Sequence, residues 1–132
     1  MSARAALVEA VTGHLRGRAG LAGLAVFDAP PVRAVVPYAV VDEPVMGPWG
    51  TKSWAGYEAR IAVGLWDEGE RPVRLRAMLG EVEEAVAGLP PGLAGGWRVA
   101  RVALARSRLA RGAGERWLGR AEFVVWVWRA DS

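Results

Sequence analysis

Arginine and tryptophan are concentrated in the last third of the chain, where they could contact nucleic acid. The group comprises Arg98, Arg101, Arg106, Arg108, Arg111, Arg116 and Arg120, with Trp97 and Trp117 among them. Guanidinium groups pair with phosphates, and aromatic rings stack on bases. However, the arginines alternate with apolar residues as in an ordinary strand, and no recognition-helix or RNA-binding signature is present. The pattern therefore favours a solvated or intersubunit arginine face over sequence-specific nucleic-acid binding.

A second group of candidate contact residues lies between Pro44 and Gly56. Trp49, Lys52 and Trp54 stand there among glycines and prolines, which predicts an exposed connecting loop or a long hairpin tip. Large aromatic side chains in such a loop have two explanations. The loop folds back onto its own core, or its tip contacts a partner, and the sequence favours neither.

No residue pattern predicts catalysis, a metal site or a bound cofactor. The chain has no cysteine, and its one histidine, His14, lies on a predicted helix without local ligand partners, so we expect a packing or surface role. Neighbouring carboxylates such as Asp42 and Glu43 point to opposite faces of a strand. The glycine clusters match neither GxGxxG nor GxxxxGK[ST], and the serines lack GxSxG. We expect no catalytic residue, no metal and no cofactor.

Length and composition predict one folded domain spanning residues 1–132. The 132 residues are 52% hydrophobic and 23% charged, with a formal net charge of +3, which is typical of a globular protein. No apolar run approaches the roughly 18 residues of a membrane span. The first twenty residues do not have the layout of a signal peptide. We therefore expect a soluble, cytoplasmic chain with no membrane partner.

Two amphipathic helices are predicted, one near each end of the first two thirds of the chain. Their apolar residues recur three or four positions apart: Leu7, Val8, Val11 and Leu15 in the first, and Leu75, Leu79, Val82 and Val86 in the second. This spacing places them on one helical face. Ser2 is available to cap the first helix, and Pro72 stands near the start of the second.

Five segments predict strands: 24–27, 38–43, 57–66, 97–104 and 119–129. Strict alternation from Tyr57 to Trp66 makes the third of these the clearest. Residues 44–56 are predicted as a loop, and 107–114 as an arginine-rich loop. The order of elements predicts an α+β fold with a mostly antiparallel sheet and two helices packed on one face.

The last predicted strand is apolar on both faces. Phe123, Val125 and Val127 lie on one parity, and Val124, Trp126 and Trp128 lie on the other. Helices on one face of the sheet leave Trp126 and Trp128 without cover. We expect another element or another subunit to bury them.

Taken together, these segments carry a family resemblance. The matching features are the N-terminal helix, the strand opening Val36-Pro37-Tyr38-Ala39-Val40-Val41, the alternating segment 57–66, the helix from about Pro72 to Ala87, and the closing strand 121–127. In this order the chain resembles the tail completion, or tail terminator, proteins of long-tailed phages and of phage-like gene transfer agents. The resemblance covers nearly the whole chain, and the loop 44–54 is its least comparable part.

The resemblance implies a non-enzymatic virion protein at the neck-proximal end of a tail, assembled in the host cytoplasm. Such a protein forms a homohexameric ring on the tail tube protein, ends tube polymerisation and receives the head–tail connector or neck protein. We expect Trp49, Lys52, Trp54, Trp126 and Trp128 at a subunit or tube interface. Arg106, Arg108 and Arg111 are candidates to face DNA that passes through the lumen, where phosphate attraction is independent of sequence.

Two other functions stay open from the sequence. One is a neighbouring head–tail connector or neck component, which differs in its partners rather than in its chemistry. The other is a small nucleic-acid-binding module that uses the arginine-rich last third. An infectious phage and a gene transfer agent are equally compatible with the sequence as the source particle.

Overall fold

The computed structural model describes residues 1–130 as two helices and six strands in two layers. The helices are α1 (Ala3–Arg16) and α2 (Val73–Ala87), and the strands are β1 (Ala25–Phe27), β2 (Tyr38–Val41), β3 (Val45–Pro48), β4 (Trp54–Glu68), β5 (Arg98–Arg111) and β6 (Arg116–Ala130). Single 3₁₀ turns occur at Ala19–Leu21 and Ala94–Gly96. None of the helices in this part of the chain is long and apolar enough to cross a membrane.

All six strands belong to one sheet, ordered β1-β2-β4-β6-β5, with β3 paired to β4 beyond the end of β2. The pair β1–β2 is parallel, and every other pair is antiparallel. Strand β4 pairs with β6 over its whole length, from Trp54 opposite Ala130 to Glu68 opposite Arg116. The predicted α+β class with a mostly antiparallel sheet is confirmed.

One face of the sheet and both helices share a single hydrophobic core. Alternate residues of the two central strands are buried there: Ala59, Ile61, Val63 and Leu65 from β4, and Ala121, Phe123, Val125 and Val127 from β6. The helices contribute the apolar stripes that their spacing predicted, including Leu7, Val11, Leu15, Leu75, Leu79, Val82 and Val86. The prediction that both helices pack on one face is therefore confirmed.

The helix ends follow local sequence signals. The Ser2 hydroxyl accepts a hydrogen bond from the Ala5 backbone N–H at 3.1 Å, which satisfies one of the free donors at the start of α1. Pro72 immediately precedes α2, and Gly17 and Gly88 follow the two helices. Both helix starts lie where the sequence predicted them.

Two predicted loops are wrong in part. Within residues 44–56, strand β3 pairs with β4, with Val45 opposite Arg60 and Pro48 opposite Tyr57. The arginine-rich segment 107–114 is β-strand as far as Arg111, because β5 and β6 continue as a long hairpin and pair to Arg111 opposite Trp117. Strand β3 contains a glycine and a proline, and β5 is interrupted by two bulges, so neither segment shows the strict alternation that single-sequence periodicity detects.

Candidate assembly surface

The side of the sheet away from the helices is covered by neither helix, and we call it the open face. It carries the residues that alternate with the core positions, such as Arg60 and Trp66 of β4 and Glu122 and Trp126 of β6. These side chains are exposed or half-buried. An antiparallel sheet tolerates one solvated face, but tryptophan is an unusual residue for it. The open face is therefore the candidate surface for contacts with other molecules.

One end of the open face is aromatic. The ring centroids of Trp49 and Trp54 are 4.9 Å apart with planes at 66°, and those of Trp54 and Trp128 are 6.3 Å apart at 73°. These edge-to-face pairs are favourable beyond the area that they bury. We call Trp49, Trp54 and Trp128 the tryptophan cluster. All three side chains are half-buried, so each still presents apolar surface to solvent.

Gly56 allows the cluster to form. A Cβ at this position would lie 1.8 Å from the Trp49 carbonyl oxygen and 2.7 Å from the Trp54 ring. The Trp49 N–H donates to the Gly56 carbonyl at 2.9 Å, which closes the connection between β3 and β4. Lys52 is exposed at the tip of this connection. The segment thus folds back onto the open face of its own chain, and each indole keeps part of its surface exposed.

Four arginines of β5 lie in one line on the open face, which we call the arginine stripe. They are Arg98, Arg101, Arg106 and Arg108, which pair with Trp128, Trp126, Glu122 and Arg120 of β6 respectively. Strict alternation would send Arg101 to the opposite face from the other three. Two register shifts, between Val99 and Arg101 and between Leu104 and Arg106, each insert one residue and bring all four to the same side.

The middle of the open face is an ion-pair network. Glu122 accepts hydrogen bonds from Arg106 and from Arg120, the latter at 3.4 Å, and Arg120 also donates to Asp42 at 2.8 Å. The hydrogen bond from Arg106 is the main reason that the pKa of Glu122 lies below its ordinary value. Asp42 is likewise the main reason that the pKa of Arg120 is raised. The two carboxylates and the two guanidinium groups of this network neutralise one another in part.

The three candidate lumen arginines do not form one group. Arg106 is paired with Glu122, while Arg108 lies on the open face opposite Arg120. Arg111 has the other parity, with its guanidinium 5.6 Å from the centre of the Trp117 ring. The cationic line that the fold assembles instead includes Arg98 and Arg101. These two belong to the arginine-rich group of the sequence but are not among the lumen candidates, because the bulges that re-aim Arg101 leave no simple periodic signal.

Trp97 and Trp117, the two tryptophans that the sequence places near the arginines, contact other parts of their own chain. Trp97 is only 4% exposed, and its indole N–H donates to the Met1 carbonyl at 3.0 Å. The indole N–H of Trp117 donates to the Gly69 carbonyl at 3.0 Å. Both rings have structural contacts within the chain. Trp126 is the aromatic residue beside the stripe, with the Arg101 guanidinium 5.1 Å from its ring centre.

A groove of about 480 Å³ crosses the open face between β5 and the start of β3. Its lining includes Val45, Ala62 and Val124, together with charged residues of the ion-pair network. The groove is broad and open, and the charges that border it already have partners. Among residues 1–130 no group of three or more His, Asp or Glu side chains could hold a metal ion. The open face is suited to contacting another macromolecule over a wide area.

A two-layer fold whose second sheet face is rich in tryptophan and arginine is suited to a structural protein that assembles with other subunits. Residues 5–127 match the model of the family described as "Tail completion protein gp17". The chain belongs to this tail completion protein family. It is a structural component of a virion tail, where it interacts with other tail and neck proteins, and it is not an enzyme.

Solved structures share the fold. A chain in the virion of a native gene transfer agent particle superimposes with a TM-score of 0.82 at 23% identity, over 96% of this chain and 98% of that chain. A second structure superimposes with a TM-score of 0.54 at 13% identity, over 92% of each chain. No curated protein matches the sequence. The resemblance seen in the sequence, the non-enzymatic role and the virion tail location are confirmed by the family match.

Proposed function

We propose that this protein closes the head-proximal end of a tail tube as a homohexameric ring, ends tube polymerisation and presents a surface for head joining. Membership of the tail completion family supports a role at the end of the tail. The observation that carries the proposal is the tryptophan cluster on the open face, where three half-buried indoles lie together outside the hydrophobic core. A ring subunit needs such a second apolar surface in addition to its own core.

We assign the subunit or tube interface to the aromatic end of the open face. Trp126, Trp128, Trp49 and Trp54 serve as rigid apolar anchors, and Lys52 stands at the exposed tip beside them. In a closed ring each subunit contacts its two neighbours through two different surfaces, because the same head-to-tail contact is repeated around the ring. One copy therefore presents its tryptophan cluster to a different surface of the next copy or to the last ring of the tube.

We also infer that the chain forms one domain over residues 1–132. The helices and the sheet contribute to the same core cluster, which supports a single folding unit. The last two residues of that range lie outside the described residues. A single domain is the expected building block of a small symmetric ring.

Charged substitutions in the aromatic end test the proposal. Trp126→Glu and Trp128→Glu should each leave the monomer folded but prevent proper tube ends, so that particles carry overlong or unfinished tails in electron micrographs. Val73→Glu is the matched control, because Val73 is 53% exposed at the start of α2 in the helix layer, where an acidic residue is favourable. Circular dichroism of each purified variant checks the fold.

The outcomes separate three possibilities. Overlong tails in the tryptophan variants with normal tails in Val73→Glu support termination through this surface. Tails of normal length that lack heads support the neck component that the sequence left open. Normal particles from both tryptophan variants would overturn the interface. Cryo-electron microscopy of intact particles then locates the subunit, as a closed ring at the junction of tube and neck or elsewhere.

A further inference from the structure

The arginine stripe is not explained by the core, by the aromatic end or by strand pairing. Strand β5 lies at the edge of the sheet and contains five arginines in 14 residues but no acidic residue. Charged side chains on an edge strand discourage edge-to-edge pairing. That role requires no particular face, whereas two separate bulges bring four of the arginines to the open face. The alignment therefore indicates a surface with a binding role.

Three members of the stripe keep their full positive charge. Arg106 is neutralised by Glu122, but Arg98, Arg101 and Arg108 have no ion pair with any of residues 1–130, and all three are exposed. Arg108 lies directly opposite Arg120, which places like charges side by side. Arg120 is paired with Asp42 and Glu122, so Arg108 is the unneutralised member of this cross-strand pair.

We propose that Arg98, Arg101 and Arg108 bind the phosphate backbone of double-stranded DNA without reading its sequence. Their partners on β6 run from Trp128 to Arg120, eight residues along a continuous strand, so the line extends about 27 Å. Duplex DNA presents one negative charge per roughly 1.7 Å of its axis, so a straight line of cations meets several phosphates along its length.

The composition of β5 on the open face favours a polyanion over a protein partner. Ala103 and Ala110 are the other open-face residues of β5, and neither supplies a large apolar anchor. Protein interfaces concentrate their energy in buried aromatic anchors. On this face the anchors are Trp126 and Trp128 of β6, beside Arg101 and Arg98, and β5 itself supplies none. Arg101 stacks on Trp126, which holds the guanidinium in place while its N–H groups remain free to donate to phosphate oxygens.

The proposal concerns the isolated chain and does not depend on ring formation. Binding is measured by fluorescence anisotropy with a short random-sequence DNA duplex at about 50 to 200 mM salt, the range over which phosphate contacts weaken most visibly. If the protein does not terminate tails, the DNA affinity of the isolated chain is still expected to be the same. Failure of DNA binding would equally leave the interface proposal standing.

The test variant replaces all three arginines: Arg98→Gln, Arg101→Gln and Arg108→Gln together. Each phosphate contact adds about 0.9 to the slope of log K against log salt, so the variant should lose about 2.7 of that slope. Its affinity at the lowest salt should fall at least about tenfold. The matched control is the triple variant Arg33→Gln, Arg71→Gln and Arg76→Gln, which removes the same charge from exposed arginines outside the sheet that have no ion pair within residues 1–130.

A second variant should strengthen binding. Glu122→Gln releases Arg106 into the stripe, while Arg120 retains Asp42. We expect a slope steeper by about 0.9 and a severalfold rise in affinity. Glu70→Gln makes the same charge change at an exposed turn and serves as the control.

The proposal is overturned if the wild-type chain binds no DNA at the lowest salt, or if the stripe and control triple variants lose affinity equally. It is also overturned if single-base changes in the duplex alter affinity strongly, because phosphate contacts carry no sequence information. Selective loss in the stripe variant together with the gain in Glu122→Gln supports it.

Discussion

Asp67 and Arg74 join the end of β4 to the first turn of α2 through two parallel hydrogen bonds. Nε and Nη2 of Arg74 donate to Oδ2 and Oδ1 of Asp67 at 2.9 and 2.6 Å, and the Glu68 N–H donates to Oδ1 at 2.9 Å. Asp67 is only 4% exposed, whereas the Arg74 side chain is more than half exposed. This geometry holds the helix layer against the sheet at the turn that precedes α2.

Loss of the Asp67–Arg74 pair should lower the free energy of unfolding at neutral pH. It should also reduce how far that free energy falls as the solution is acidified. The hydrogen bonds from Arg74 are the main reason that the pKa of Asp67 lies below its ordinary value of 3.8. A lowered folded-state pKa contributes stability above the ordinary value, and that contribution is lost as pH falls through the lowered pKa. Asp67→Asn should cost about 1–3 kcal/mol at neutral pH, with the exposed side of Arg74 keeping the cost moderate.

Urea unfolding from neutral pH to below pH 3.8 measures this effect. The wild-type free energy of unfolding should fall more steeply at the acid end than that of Asp67→Asn, so the two curves converge there. Glu70→Gln, an exposed carboxylate in the same turn, should follow the wild-type curve. Parallel curves for wild type and Asp67→Asn would contradict the assignment.

A methyl group at Gly56 should disrupt the tryptophan cluster. The Cβ would lie 1.8 Å from the Trp49 carbonyl oxygen, so the backbone must move. We expect Gly56→Ala to cost about 2 kcal/mol or more, with a changed near-ultraviolet circular dichroism signal from the indoles.

Gly80 provides the opposite result. It lies within α2, and a Cβ there would meet no atom within 4 Å. Gly80→Ala should therefore stabilise the protein by about 0.5–1 kcal/mol, because alanine is the better helix former. If Gly56→Ala and Gly80→Ala shift the melting temperature equally, the close approach at Gly56 does not affect stability.

Trp97 and Trp126 should respond differently to replacement by phenylalanine. Trp97 is buried, its indole N–H donates to the Met1 carbonyl at 3.0 Å, and the Arg129 guanidinium lies 4.2 Å from its ring centre. Trp97→Phe keeps the ring contacts and removes the hydrogen bond, at a cost of about 1 kcal/mol. Trp126→Phe, on the open face, should cost less than about 0.5 kcal/mol.

Chemical denaturation of the two variants measures the difference. Trp97→Ala extends the series, because it removes a buried indole and should cost about 3–5 kcal/mol. If Trp126→Phe destabilises the isolated chain as strongly as Trp97→Phe, then Trp126 belongs to the core rather than to an assembly surface.

The sequence by itself determined the buried faces of the two helices and of the central strands. Alternation from Tyr57 to Trp66 and the three- and four-residue spacing in both helices are local properties of the chain, and the observed burial follows them. Periodicity of this kind predicts which face of a helix or strand is buried, whatever that face packs against. The same reasoning separated the two faces of β6 and correctly left Trp126 and Trp128 outside the core.

Only the tertiary structure decided what the open face contains. The position of a bulge depends on the register between two strands, and register is a property of the pair rather than of either sequence. Without the two bulges of β5, Arg101 would face the helix layer. The pairing of Arg106 with Glu122 and the approach of Trp54 to Trp128 also join residues that are far apart in sequence. Long-range contacts leave no periodic trace, so the tryptophan cluster and the arginine stripe emerge only once the strands are paired.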